Sequence, residues 1–250
     1  MITLGIDLAA QPSNTSACAI EWETGRAVIS DLRSGLDDRA LLAMAKADKV
    51  GIDAPFGWPD EFVEAVVAHR DGAPWPGRGA DQDLYRFRLS FRATDRHLIE
   101  HGGRRPLSVS TDLIGVVAMR CANLLDRLSA AGEPVDRAGT GKVIEAYPAS
   151  ALSSWGLAAT GYKSRVGAVR LPQLLARLED GLGGLELGRG DREAIGSDHN
   201  RFDALVASLV ARAAGLGLTQ LPQSPEQEDR AAREGWIHVP TNPLAHLLER

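Results

Sequence analysis

The sequence predicts an α/β fold: a mixed five-stranded sheet, three antiparallel strands and then parallel ones, with helices on both faces and a long insertion. Three observations carry this expectation. Two short apolar runs, residues 2–7 and 50–53, each end in an aspartate. Two alternating runs around a Gly-containing turn lie between them, as in a hairpin. A segment with helical spacing then leads into the second Asp-bearing run.

Taken in order, residues 2–7 form a continuous apolar run closed by Asp7, as expected of a buried strand. Pro12 and Asn14 mark a turn. Residues 15–22 place Cys18, Ile20 and Trp22 on one face, and Thr24-Gly25 connects them tightly to residues 26–32. Residues 36–47 repeat helically through Leu41, Leu42 and Met44, with Asp37 and Asp38 in the first turn, where the helix dipole favours acids. A crossover of this kind is right-handed and returns the chain parallel to its first strand. Asp7 and Asp53 then leave the sheet at one carboxyl edge, where open α/β sheets bind ligands.

Residues 54–142 read as an insertion between the fourth and fifth core strands of a single domain spanning 1–250. Within it, residues 60–69 and 111–131 have helical spacing, the latter capped by Ser110 or Thr111 and ended by Gly132, while 70–105 read as irregular. Residues 143–147 form a further β run stopped by Pro148. Residues 171–178 and 202–214 are helical, and 235–240 hold a short edge strand.

The chain has 250 residues, of which 44% are hydrophobic and 24% charged, enough for a packed core and too apolar for disorder. Its net charge of −5 argues against a basic coat for long duplex DNA. Cys18 and Cys121 lie far apart in apolar stretches, which speaks against a disulfide framework or a cysteine zinc site. The start lacks the charged-then-apolar pattern of a leader, and no apolar run nears the roughly 20 residues that span a bilayer. The expectation is a cytoplasmic protein with no membrane partner.

Hard cations such as Mg²⁺ or Mn²⁺ take oxygen ligands, and phosphodiester hydrolysis by two such ions needs several converging carboxylates. Asp7 and Asp53 offer two at strand ends. Asp203 offers a third, because it lies beside the apolar stripe of Val206 and Val210 and can face the sheet. Asp198 and Asp112 sit near helix starts, where a capping charge is the simpler explanation. His97-Leu98-Ile99-Glu100-His101 has inverted-zincin spacing, but Gly102-Gly103 ends any helix there. Gly139-Thr140-Gly141-Lys142 lacks the first Gly and the closing Ser or Thr of a phosphate loop. Residues 85–92 alternate aromatic or apolar with polar or basic; if extended, they show an Arg face including Arg88 that suits a nucleic acid strand.

Gly5-Ile6-Asp7-Leu8, Gly51-Ile52-Asp53-Ala54-Pro55, Arg92-Ala93-Thr94-Asp95, Glu145-Ala146-Tyr147-Pro148, Gly161-Tyr162-Lys163, Asp203-Ala204-Leu205 and Glu234-Gly235-Trp236-Ile237 together resemble the family called domain of unknown function number 429. That family is described as predicted nucleases of the ribonuclease H fold. The resemblance covers nearly the whole chain. It implies a ribonuclease-H-like sheet and adds Glu145 as a fourth ligand beside Asp7, Asp53 and Asp203. It also implies substrate-binding roles for Arg92, Thr94 and Asp95, with Arg92 as a phosphate clamp, and Lys163 as a neutraliser of transition-state charge. The expected function is a metal-dependent nuclease or phosphodiester hydrolase acting on nucleic acid or a small phosphate ester. Two alternatives stand beside it. One is a phosphate- or nucleotide-binding protein akin to sugar kinases and actin, using Asn14, Thr15 and Ser16. The other is a non-catalytic regulatory protein of the same fold.

Overall fold

In the computed structural model, which describes residues 1–157, 161–163 and 170–249, the chain opens with β1 (Ile2–Asp7), β2 (Ser16–Glu23) and β3 (Arg26–Ser34). Neighbours among these run antiparallel. Helix α1 (Asp38–Met44), whose first turn is closed by the Asp37 side chain accepting from Ala40 N, leads to β4 (Lys49–Asp53). β4 lies parallel to β1. Between β4 and β5 (Val143–Ala146) come α2 (Asp60–Arg70), α3 (Gln82–Ser90), α4 (Ala93–Glu100) and α5 (Gly115–Ala130). Then follow α6 (Pro148–Ser154), α7 (Leu171–Leu182), β6 (Leu185–Glu186), α8 (Arg189–Ser197), α9 (His199–Gly215), α10 (Pro225–Glu234) and β7 (Ile237–His238).

The described strands form one seven-stranded sheet, ordered β6-β3-β2-β1-β4-β5-β7, not the five strands the sequence predicts. β4, β5 and β7 are parallel to their neighbours, as is β6 to β3. Beyond the five core strands, β7 falls within the short edge strand expected at 235–240, while β6, two residues at the other edge, is too short to show a period. The segment expected to be irregular, 70–105, contains α3 and α4. Residues 85–90 are therefore helical, not extended. Asp81 starts the helix by accepting from Asp83 N and Leu84 N, and Phe87 stacks on Phe91 one turn on, at 5.1 Å. Helix α5 begins at Gly115 rather than 111, because Asp112 folds back to accept from Ser108 N at 2.7 Å.

Two apolar layers cover the sheet. On one face, α7 and α9 bury Leu174, Leu178, Leu205 and Leu209 against Cys18, Ile20 and Ile144. On the other, α1 and α5 bury Leu41, Cys121 and Leu124 against Leu4, Ile6, Val50 and Ile52. Among the described residues no helix is long and apolar enough to cross a membrane.

Helix α9 lies against the sheet more closely than side chains normally allow. Gly5 and Gly51 are register partners on β1 and β4. A Cβ on Gly5 would stand 2.0 Å from the Ala204 carbonyl oxygen, and one on Gly51 would stand 2.5 Å from that of Ala207. Neither distance is tolerable, so both positions need the smallest residue. Thr3 and Ser208 join the layers further along by a 2.8 Å hydroxyl–hydroxyl bond. Ser208 meets Thr3, and Ala204 meets Gly5, so α9 runs antiparallel to β1. Its N-terminal half therefore lies over the carboxyl edge of the parallel strands.

Candidate metal centre

Asp7 and Asp53 are themselves register partners, two residues beyond the Gly5–Gly51 pair. Side chains alternate along a strand, so both aspartates point to the α9 face, as the glycines do. Two strand residues cover roughly 6.6 Å, about the rise of one helical turn plus its tilt. One turn before Ala207 on α9 is Asp203. It meets the pair from above: each of Asp7, Asp53 and Asp203 offers a carboxylate oxygen, and the three atoms lie within 4.8 Å of one another. Asp203 is fully buried, whereas Asp7 and Asp53 are half-buried.

The trio is electrostatically crowded. Burial raises the Asp7 carboxyl well above the usual carboxylate range, with Asp203 and Asp53 pushing the same way. Burial likewise lifts Asp53 to about 7, opposed by Lys163 and reinforced by Asp203 and Glu145. Asp203 is partly neutralised: its Oδ1 accepts from the Tyr162 hydroxyl at 2.6 Å and its Oδ2 pairs with Lys163 Nζ at 2.5 Å. The Lys163 side chain is 50% exposed, so its charge faces the cavity as well as the carboxylate. Burial works against that charge, but Asp203, Asp53 and Asp7 together raise its pKa. Three oxygen donors of this hardness and spacing fit a divalent cation of the Mg²⁺ or Mn²⁺ kind, which would relieve their repulsion.

Glu145 lies outside the trio. Its register partner on β4 is Ile52, so its side chain emerges on the face opposite to Asp53. There Oε1 accepts from Arg92 Nη2 at 2.7 Å, while Oε2 accepts from Arg92 Nη1 at 2.8 Å and from Phe56 N at 3.0 Å. Burial still raises its pKa against the pull of Arg92. The placement of Arg92 does not match the expected phosphate clamp. It is buried, and all five of its N–H donors are used: Nε on Asp95, Nη1 on Glu145 and the Glu234 carbonyl, Nη2 on Asp95 and Glu145. Asp95 also accepts from Arg92 N at the start of α4. Thr94 accepts from Ile237 N at 2.9 Å, tying α4 to β7. Arg88 is exposed on α3 and is not among the residues lining the cavity described next.

A cavity of about 390 Å³ opens over Asp7, Asp53 and Lys163. Arg104, Arg105 and Tyr147 line it, and none of these is given a role by the sequence reading. Tyr162 is another residue whose part the sequence does not reveal. It lies in the Gly161-Tyr162-Lys163 segment, but nothing local tells that its hydroxyl finds a carboxylate 41 residues away. An Arg-Arg-Pro step after Gly102-Gly103 is the only trace of the arginine pair.

Other candidates are engaged elsewhere. Asp198 caps α9 by accepting from Asn200 N. Thr15 Oγ1 accepts from Ala9 N and from Arg120 Nη1 and donates to the Gln11 carbonyl, and Ser16 pairs with Ser34. The Thr15 hydroxyl is held inside the first loop and that of Ser16 between β2 and β3, rather than offered to a phosphate.

Fold and site together define a class: a mixed α/β protein with an oxygen-donor trio at the carboxyl edge of its parallel strands. The family model described as protein of unknown function (DUF429) matches residues 5–227, and the chain belongs to that family. No curated protein and no solved structure matches the chain.

Proposed function

We propose that this protein is a metal-dependent phosphodiester hydrolase, most concretely a nuclease, built on a ribonuclease-H-like sheet. One observation carries the reading: three carboxylate oxygens from β1, β4 and α9 lie within 4.8 Å of one another, and the Asp7 and Asp53 side of the group lines a cavity. Asp7, Asp53 and Asp203 are the residues to hold Mg²⁺ or Mn²⁺. A divalent cation in such a site supplies Lewis-acid charge to a phosphate and makes water more acidic. The expectation of two ions drew on four carboxylates; with Glu145 committed to Arg92, three remain for the cluster.

The chain's own groups divide the remaining tasks. Tyr162 and Lys163 fix the Asp203 carboxylate in one orientation. The half-exposed ammonium of Lys163 adds positive charge where the oxygens of a phosphate gain negative charge during attack. Hydrolysis forms one P–O bond to the water oxygen and breaks one P–O bond to the leaving oxygen, which takes up a proton. As a ligand of the cation Asp53 is held ionised, so that proton comes from water.

The test is cleavage of single- and double-stranded DNA and RNA with Mg²⁺, with Mn²⁺ and with EDTA. Wild type should cut only with metal. Asp7→Asn and Asp53→Asn should each lose at least the roughly 10–100-fold that removal of even an outer-shell metal partner costs, with unfolding temperatures no lower than wild type in EDTA. Full activity in either variant would sink the proposal.

A further inference from the structure

Arg104 and Arg105 stand on the segment between α4 and α5 and line the same cavity as Asp7, Asp53 and Lys163. Both are exposed, and neither makes an ion pair among the described residues. Their backbone is nevertheless held in place. The Tyr147 hydroxyl, just past the end of β5, donates to the Arg105 carbonyl at 3.4 Å, and the Arg104 side chain reaches Tyr147. The Arg105 guanidinium lies 4.8 Å from the centre of the Phe91 ring, a cation–π contact that restrains the side chain without neutralising it. Two restrained guanidiniums with no carboxylate partner among the described residues, lining one cavity with Asp7 and Asp53, form a place for an anion.

The rest of the lining narrows the ligand. Pro55, Pro106, Leu107, Ile114 and Val117 make an apolar wall, and Tyr147 is the one neutral hydrogen-bonding side chain among the described lining residues. A free sugar would find few partners there. A flat, largely apolar ring would be covered but not read, since base discrimination needs directed donors and acceptors. The volume of about 390 Å³ falls in the range of small-ligand sites and is far too small for a duplex.

We propose that Arg104 and Arg105 form an anion subsite, and that the cavity takes one nucleotide unit bearing two phosphates. The arginines grip one phosphate, the carboxylate trio with its cation faces the other, and the base rests on the apolar wall without being distinguished. This rests on the hydrolase reading for the second phosphate but not for the first. The same chemistry is presented by a free nucleoside bisphosphate and by the phosphorylated end of a strand.

The experiment is calorimetric titration of the full chain, in Mg²⁺, with thymidine 3′,5′-bisphosphate, thymidine 5′-monophosphate and adenosine 3′,5′-bisphosphate. The thymidine bisphosphate should bind about tenfold or more tightly than the monophosphate, as one added charge-assisted phosphate grip implies. The adenosine bisphosphate should bind equally well. Arg104→Gln/Arg105→Gln should erase the preference, while Arg88→Gln, an exposed change outside the cavity, should keep it. No binding, no preference in wild type, or a preference that survives the double substitution each overturns the subsite. A 5′-phosphorylated oligothymidine that displaces the bisphosphate assigns the site to strand ends, and one that does not assigns it to the free nucleotide; both support the subsite. A chain that binds as expected and cleaves nothing overturns the hydrolase reading alone.

Discussion

Asp53 shows how three neighbouring carboxyls change one another. Its folded-state pKa, near 7 through burial and the nearby Asp203 and Glu145, lies above that of an unfolded aspartate. The folded protein therefore holds a proton that the unfolded chain gives up. The resulting stability is complete below about pH 4 and is lost as pH rises to about 7, amounting to as much as about 4 kcal/mol. In EDTA, the wild-type unfolding temperature should fall between pH 5 and pH 7.5, and Asp53→Asn should flatten the fall. Adding Mn²⁺ at pH 7.5 should restore stability to wild type and not to the variant. Parallel curves for the two proteins in scanning calorimetry would refute this. At this scale the sequence says a good deal. Asp7 and Asp53 are visible because each closes an apolar run, and Asp203 because it flanks an apolar stripe. Glu145 also stands in a β run, but its parity depends on a register with β4 that no local pattern encodes. One residue of slip decides which face it meets.

At the scale of elements, the site depends on how low α9 sits. The Gly5–Gly51 pair is the floor that lets the Ala204 and Ala207 backbone approach the strands. Gly51→Ala would place a methyl 2.5 Å from the Ala207 carbonyl, and the helix would have to rise. The expected cost is about 1–3 kcal/mol, as for other overpacked cores, read as a lower denaturant midpoint. Because Asp203 rides on the same helix, Mn²⁺ affinity should drop as well; unchanged affinity would show that the trio does not depend on this contact. Strands β1 to β5 and helix α9 were readable from periodicity. Helix α3 was not, since its alternation of aromatic and basic residues over a few positions fits a strand as well as a helix, and Asp81 decides for the helix. In the segment from β4 to β5, α2 and α5 were readable from helical spacing but the position of the segment was not, because it is set by side chains that meet it from far along the chain.

At the scale of the molecule, those side chains are Arg92, Asp95 and Glu145. The group joins α4 to β5, and the Glu234 carbonyl ties in the end of α10. Gly235, at φ +89°, leaves room there: a Cβ would lie 2.8 Å from the Glu145 Oε2. Arg92→Met removes the cation from between two buried carboxylates and should cost about 3–5 kcal/mol. Arg92→Met/Asp95→Leu/Glu145→Met should recover much of it, by the same reasoning that makes apolar replacements of buried ion pairs tolerable. Urea unfolding distinguishes the outcomes, and a single variant as stable as wild type would exclude a clamping role. The close seat of α9 on β1 also has a temporal side. Thr3 meets Ser208 across 205 positions, and Gly5 meets Ala204. As the chain leaves the ribosome, its opening hairpin has one face bare until that helix has been made. Closure of such distant contacts is slow, and until it happens a greasy sheet surface is open to other nascent chains and to chaperones.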